Sequence, residues 1–282
     1  MRTGNAIAGL VGGLTIAAMT CGGTAPALAG ALFEPPAGCA VYLTTQNRGC
    51  RVVNHYSCPA VHPDHRWSHR FVPGSGAWVS RIDGDAQWVE SGPEAEPDWM
   101  RTQWPVEDSG SVSELIETGV DAYDFIQRSR SGITERVSGF DKVIGEVVVD
   151  GEPLLRTQFE ATYRDVNGSV TRQVRGEEYV SAKHGRFFGD RLIEMRDGRE
   201  IARHSRGPVE FVYPGEEGFR SLDPQYDCDV ISGMPDGARV AGVGPGASPS
   251  PLSLGPMAHQ WQPPGIFLDR RNSGARGIGG PS

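Results

Sequence analysis

The chain has 282 residues, 22% of them charged and 38% hydrophobic, so it is long enough to bury one substantial core and does not have the composition of a disordered chain. Its formal net charge of -8 and pI near 5.4 argue against a nucleic-acid partner and against electrostatic docking on anionic lipid, because both need a basic surface.

Residues 1–29 have the layout of a secretory signal peptide. Arg2 precedes an apolar run over residues 6–21 that is too short and too rich in glycine to span a bilayer, and Ala27 and Ala29 flank Leu28 in a cleavage site of the A-x-A kind. A lipid anchor at Cys21 is disfavoured, since the three residues before it depart from the usual lipoprotein pattern. We therefore expect an exported protein, periplasmic or extracellular, with no transmembrane segment.

Four cysteines remain after cleavage, and an even number in an exported chain favours two disulfides. The segments on either side of a turn at 47–49 look like the two strands of a hairpin. In that register, residues whose numbers sum to about 97 face each other, which places Cys39 within reach of Cys58. Cys50 is then left to pair with Cys228.

A cluster of histidines between residues 55 and 69 has the residue types of a metal site. His62, His65 and His69 are the candidate ligands for zinc or copper, which would need three or four such side chains to converge. Pro59 and Pro63 disfavour a helix that could bring them together, so an extended loop leading into a strand is the competing interpretation.

The next segment predicts a hairpin that turns at residues 83–85 and brings Trp78 and Trp88 near one another. Paired aromatic side chains line grooves for carbohydrate or lipid, but they also stabilise hairpins and cores by packing. Both tryptophans are therefore candidate ligand contacts, with core packing as the alternative.

One helix is predicted over residues 111–130. Ser111 can cap its start, Glu114 completes a capping box, and Gly132 ends it. Apolar side chains at helical spacing form a stripe that would cover one face or one open end of a sheet: Val112, Leu115, Ile116, Val120, Tyr123 and Ile126.

Residues 144–213 predict a continuous antiparallel meander. Turn signals at 150–151, 167–168, 184–185 and 197–198 separate segments that alternate between apolar and polar residues. The fold class that follows is mainly β, a curved antiparallel sheet of the half-barrel or barrel-like kind with one covering α-helix. The aromatic side chains expected inside it, and hence the candidate ligand contacts, are Phe159, Tyr163, Tyr179, Phe187 and Phe211.

The chain divides into a signal peptide (1–29), a β-rich globular domain (30–232) and a tail rich in glycine and proline (233–282). Periodicity disappears in the tail, which is typical of disorder.

The sequence contains no catalytic or cofactor-binding motif in the secondary-structure context that such a motif requires. It therefore favours a binding or structural protein over an enzyme and predicts no cofactor. On strand pattern, residues 70–213 resemble the lipoprotein-carrier half-barrels of the bacterial periplasm, which implies a carrier that holds a small apolar ligand or lipid in the curve of the sheet. Two alternatives stay open: a ligand-free structural or interaction protein of the cell envelope, and a metal-binding protein that uses the histidines at 62–69.

Overall fold

The computed structural model describes residues 30–96 and 98–229. The predicted signal peptide and the predicted disordered tail lie outside these described residues. Within them, no helix is long and apolar enough to cross a membrane.

The described chain forms one antiparallel sheet of 13 strands with a single short helix, α1, at Val112–Thr118. The strands are β1 Ala40–Asn47, β2 Arg51–Ser57, β3 Arg66–Val72, β4 Gly76–Ile82, β5 Trp88–Pro93, β6 Met100–Thr102, β7 Val120–Arg128, β8 Thr134–Val149, β9 Glu152–Arg164, β10 Val170–Ser181, β11 Arg186–Arg196, β12 Arg199–Ser205 and β13 Pro208–Val212. Strands β1 to β12 lie side by side in chain order, and β13 pairs with the free edge of β1.

The sheet curls so that its two ends meet without forming a ladder. Strands β12 and β13 stand at opposite ends of the sheet, yet only residues 206 and 207 connect them. The connection is fixed from both sides: Arg206 N donates to Asp190 O of β11 (2.7 Å), and Arg48 N donates to Gly207 O (2.9 Å). The predicted curved antiparallel sheet is therefore confirmed, and it stops short of a closed barrel.

Two of the predicted hairpin turns place both central residues at positive φ, as the favoured two-residue turns require. Asp150 and Gly151 have φ of 49° and 78°, and Asp197 and Gly198 have φ of 50° and 73°. The tip of the first hairpin also crosses to the far end of the sheet, where Phe211 N of β13 donates to Asp150 Oδ2 (2.8 Å). The turn at 150–151 thus helps to hold the curl.

The helix is much shorter than predicted. It begins as expected at Ser111, whose Oγ accepts a hydrogen bond from Glu114 N (2.9 Å), but it ends at Gly119, which adopts φ 80°. Residues 120–128 form β7 instead and pair with β8 through nine consecutive residues, so the helical prediction for Val120, Tyr123 and Ile126 is wrong. In the strand the side chains at 121, 123, 125 and 127 are buried at a period of two, and the ladder with β8 supplies hydrogen-bond partners along one edge of β7.

We expect Ser111→Ala to reduce the free energy of unfolding by about 1 kcal/mol, the usual cost of losing an N-cap. The Ser111 hydroxyl caps Glu114 N and also donates to Asp85 Oδ2 (2.5 Å), which ties the helix start to the loop after β4. Urea denaturation of the variant measures the loss, and Ser169→Ala in an exposed turn is the control. Equal stability of both variants and the wild type would contradict the cap.

The space between α1 and the sheet is filled by a cluster of buried side chains, Val112 and Leu115 of the helix among them. The other members are Ile82, Ala86, Trp88, Tyr123, Phe125, Val137, Phe159, Ala161, Tyr163, Val174, Val180, Phe187 and Leu192. The backbone also approaches closely at Gly176 of β10, where a Cβ would lie 1.8 Å from the carbonyl oxygen of Arg191. The helix side of the sheet is therefore a packed core.

The two predicted disulfides, Cys39–Cys58 and Cys50–Cys228, are both present. The hairpin register that predicted the first of them is also observed, with Ala40 opposite Ser57. The second attaches the segment after β13 to the start of β2.

That segment, residues 214–228, lies on the back of β1 and β2. Asn54 Nδ2 donates to Ser221 O (2.9 Å), Gln46 Nε2 donates to Asp223 O (3.0 Å), and Arg220 N donates to Thr44 Oγ1 (2.8 Å). This segment covers the outer face of β1 and β2. Their inner face lines the inside of the curled sheet, so both faces of these strands are buried.

Candidate functional site

A cavity lies inside the curl, between strands from the two halves of the sheet. One wall comes from β1 to β5 and the other from β9 to β11, with Arg206 from the connection between β12 and β13. Its volume is about 70 Å³. One water needs about 10–15 Å³ on this measure, so the cavity has room for a few waters or one compact polyatomic group.

The lining of this cavity combines an apolar wall with an unusual amount of charge. The apolar members are Val53, Ile82, Trp88, Phe159, Phe187, Phe188 and Leu192. The uncharged polar members are Thr45, Asn47, His55, Ser68 and Ser80, and the charged members are Arg51, Arg70, Arg186, Arg191, Arg206, Glu177 and Asp190. Five arginines against two carboxylates give the cavity a formal excess of three positive charges, in a chain whose net charge is -8.

Arg51 and Arg70 come from neighbouring strands, at positions that point into the curl. Burial and the nearby charge of Arg70 lower the pKa of Arg51 to about 9, and burial and the charge of Arg206 lower the pKa of Arg70 to about 10. Burial, followed by the charges of Arg51 and Arg172, lowers the pKa of Arg206 to about 9. All of these guanidinium groups stay charged at neutral pH, so their charges repel one another in poorly solvated surroundings.

The two carboxylates of the cavity have other partners. Burial opposes ionisation of Glu177, but hydrogen bonds from Arg191 (2.5 Å) and Arg156 outweigh it and lower its pKa. Burial raises the pKa of Asp190, which accepts a hydrogen bond from the Tyr179 hydroxyl (3.1 Å). Neither carboxylate forms an ion pair with Arg51 or Arg70 among the residues that the structure describes.

His55 adds a neutral polar group to the same wall. Burial lowers its pKa well below the usual value, and the charges of Arg186 and His184 lower it further. Its Nε2 lies 3.2 Å from Thr45 Oγ1, while Arg186 Nη1 donates to the hydroxyl of Tyr42 (2.9 Å). The imidazole therefore adds no further positive charge at neutral pH.

The structure brings three of the predicted ligand contacts together, since Phe159, Phe187 and Trp88 line the cavity. The other predicted aromatic side chains lie elsewhere. Tyr163 belongs to the packed core under α1, and Phe211 and Tyr179 pack in a separate cluster around Leu43, Leu154 and Phe188.

The predicted contact between Trp78 and Trp88 is not formed. The β4–β5 register places Trp78 opposite Pro93 and Trp88 opposite Ile82. The hairpin turns later than predicted, because Asp83 caps the loop by accepting from the backbone N–H groups of Asp85 and Gln87. Trp78 instead lies near the guanidinium of Arg70, whose Cζ is 5.7 Å from the ring centroid.

The histidines proposed as metal ligands do not converge. The rings of His62 and His65 stack with centroids 3.5 Å apart, whereas His69 stacks on Phe33 (4.4 Å) and its Nε2 lies 3.5 Å from Glu94 Oε2. Within residues 30–96 and 98–229, no group of three or more histidine, cysteine, aspartate or glutamate side chains is arranged to hold a metal ion.

Sequence reasoning missed the arginines that distinguish this cavity. A usable signal was present, because Arg51 and Arg70 stand inside segments with strand character, where a charged side chain needs a partner or a special role. Which face of β2 and β3 points inwards depends on distant segments that cover the other face, residues 214–228 on β2 and Phe33 on β3, and alternation within a single strand does not reveal that.

Comparison with known proteins assigns no family. No family model matches the chain, and no solved structure matches it. Over 68 residues the chain is 34% identical to the 2,3-bisphosphoglycerate-independent phosphoglycerate mutase of Hydrogenovibrio crunogenus (strain DSM 25203 / XCL-2). That stretch covers 24% of this chain and 13% of the mutase, so the similarity is confined to a small part of both proteins.

Proposed function

We propose that the protein is an exported binding protein of the carrier type, which holds a small ligand in the cavity between the two walls of the curled sheet. The observation that carries this proposal is the state of the polar groups in the lining. The Nε atoms of Arg51, Arg70 and Arg186 are buried and have no hydrogen-bond partner in the described part of the chain. Buried donors without partners are costly, and a bound ligand would supply the missing acceptors.

The size of the cavity restricts what the ligand buries there. The resemblance to carriers implies an apolar ligand in the curve of the sheet, but beside α1 a packed core fills that curve. The cavity of about 70 Å³ lies instead between the two walls, and it suits one compact group. An apolar ligand or lipid would therefore place a head group in the cavity and leave its apolar part against the rim.

Two disulfides support the exported location in this proposal, because such bonds persist in oxidising compartments. The signal-peptide pattern of residues 1–29 agrees with it.

A ligand-free interaction protein of the envelope is the second candidate, and a different feature favours it. Strand β12 is a free edge of the sheet, and six of its seven residues are exposed, including Ile201. Such an edge can pair with a strand of another protein. Arg199, Glu200 and Arg203 lie along it, and charged side chains on an edge oppose this kind of pairing. We therefore favour the cavity over the edge.

Gly189→Val provides a test, since Gly189 lines the cavity and a Cβ there has no atom within 4 Å, so a larger side chain can be added without a clash. We expect native mass spectrometry of gently purified wild-type protein to show a bound small molecule, and we expect Gly189→Val to lose it while remaining folded. Thr171→Val, an exposed substitution on β10, is the matched control and should retain the molecule. If no small molecule accompanies the wild type, the proposal of a carrier fails.

A further inference from the structure

We propose that the cavity binds a compact oxyanion of the phosphate class through the guanidinium groups of Arg51, Arg70 and Arg206. This inference rests on the proposed binding function and names the chemistry of the ligand.

The cavity concentrates positive charge. Three arginines from β2, β3 and the connection after β12 converge on one small cavity, although the chain as a whole is acidic. Charges of one sign at the wall of a poorly solvated cleft concentrate the field there and attract ions of the opposite sign. An anion would also relieve the mutual repulsion of Arg51, Arg70 and Arg206, which no carboxylate in the described part of the chain relieves for the first two.

Arg51 and Arg70 also have unused hydrogen-bond donors. The Nε atoms of Arg51 and Arg70 are shielded from solvent and lack a partner, and neither residue takes part in an ion pair within residues 30–96 and 98–229. The other cationic side chains of the lining differ, because Arg191 pairs with Glu177 and Arg186 donates to Tyr42. A tetrahedral oxyanion offers several acceptor oxygens, and guanidinium groups bind such groups in a bidentate manner.

The size of the cavity also suits an oxyanion. A cavity of about 70 Å³ accepts one oxyanion with a few waters, and Ser68 and Thr45 line it beside the arginines. Next to this charged part lie Trp88, Phe187 and Phe188, so the apolar wall could receive a chain attached to the anion. The same phosphate chemistry could therefore come from free inorganic phosphate or from the head group of an amphiphile.

The test begins with inorganic phosphate added to the purified exported protein, followed by calorimetry and thermal unfolding. We expect saturable binding and a rise in Tm of about 5–10 °C at a hundredfold excess over the Kd. Arg51→Met and Arg70→Met should each weaken binding at least tenfold. Arg128→Met, which replaces an exposed arginine on β7, should bind like the wild type.

A second measurement separates binding from a structural role. If Arg51 and Arg70 serve the anion, Arg51→Met and Arg70→Met without phosphate should have a higher Tm than the wild type, because a repelling buried charge is gone. If these residues instead stabilise the fold, the same variants should have a lower Tm, and the inference is overturned.

Vesicles identify the source of the anion. Phosphatidylglycerol and phosphatidylcholine vesicles are compared with inorganic phosphate. Much tighter binding to phosphatidylglycerol assigns the site to an amphiphile, and equal or tighter binding of inorganic phosphate assigns it to the free ion. If neither anion binds while native mass spectrometry shows an uncharged ligand, this inference fails and the carrier function stands. If the wild type binds nothing at all, both fail.

Discussion

Removal of the Cys50–Cys228 disulfide should lower the free energy of unfolding by about 5 kcal/mol, the value that chain entropy assigns to a crosslink spanning 178 residues. This bond closes a loop that contains almost the whole described chain, so it greatly reduces the conformational entropy of the unfolded state. It also attaches residues 214–228 to the outer face of β1 and β2. Without the disulfide, this segment would be held there by hydrogen bonds such as those from Asn54 and Gln46. Denaturation of the Cys50→Ala, Cys228→Ala double variant measures the effect.

The other disulfide provides a matched control. Cys39–Cys58 spans only 19 residues, for which the same relation gives about 3 kcal/mol. The Cys39→Ala, Cys58→Ala double variant should therefore lose less stability than the first variant. If both pairs cost the same, local contacts rather than loop length determine the stabilisation, and the argument from chain entropy is wrong.

The parts of the fold that could be predicted from sequence are those in which a local feature determines the structure. Positive φ at Asp150–Gly151 and Asp197–Gly198 depends on the turn residues themselves, so the hairpins follow from the sequence. The Cys39–Cys58 pair follows because a hairpin register relates residues close in the chain. These features need no knowledge of how the sheet curls.

The helix shows where local patterns become ambiguous. The apolar residues at 120, 123 and 126 fit a helical stripe, whereas in the strand the side chains at 121, 123, 125 and 127 are buried, and two of these are polar. Gly119 marks the end of α1, but a glycine near the end of a predicted helix also occurs inside longer ones. The decision depends on β8, which offers β7 a ladder of nine residues.

The candidate site could not be predicted because its two walls lie far apart in the sequence. Arg70 and Phe187 line the same cavity, and they are neighbours only because the sheet bends through several strands. The position of the link at 206–207 determines that bend, and no pattern within one strand contains this information. Aromatic residues at inward positions were therefore predictable, but the arginines that give the site its charge were not.

The buried carboxyl groups should lower the free energy of unfolding by roughly 2 kcal/mol as the pH rises from about 6.5 to 8, because Asp121 and Asp141 would lose protons. Asp121 and Asp141 lie directly opposite each other on β7 and β8, and Glu178 lies nearby on β10. Burial raises the pKa of Asp121 to about 8 and that of Asp141 to about 7. Burial, and then the adjacent Asp141, raises the pKa of Glu178 well above its ordinary value.

The sign follows from proton binding in the two states. A carboxyl group whose pKa is higher in the folded state than in the unfolded state keeps a proton on folding, so its contribution is complete below about pH 4 and disappears as the pH rises through the folded pKa. Burial lowers the pKa of five histidines, which makes stability rise with pH up to about pH 7.5 and so opposes the effect of the carboxyl groups; these are His55, His65, His69, His184 and His204. The contribution of the carboxyl groups is therefore the difference between the wild type and a variant that lacks them.

Replacement of two of these carboxyl groups by amides tests their role directly. The Asp141→Asn, Glu178→Gln double variant keeps the shape of both side chains but cannot ionise at these positions, so its stability should fall less than that of the wild type between pH 6.5 and 8, with Asp121 left as the remaining buried carboxyl group. Asp197→Asn, at an exposed turn position where asparagine also adopts positive φ, is the control and should follow the wild type. Urea denaturation at several pH values supplies the curves. If the double variant and the wild type run parallel, the buried carboxyl groups are not the source of the pH dependence.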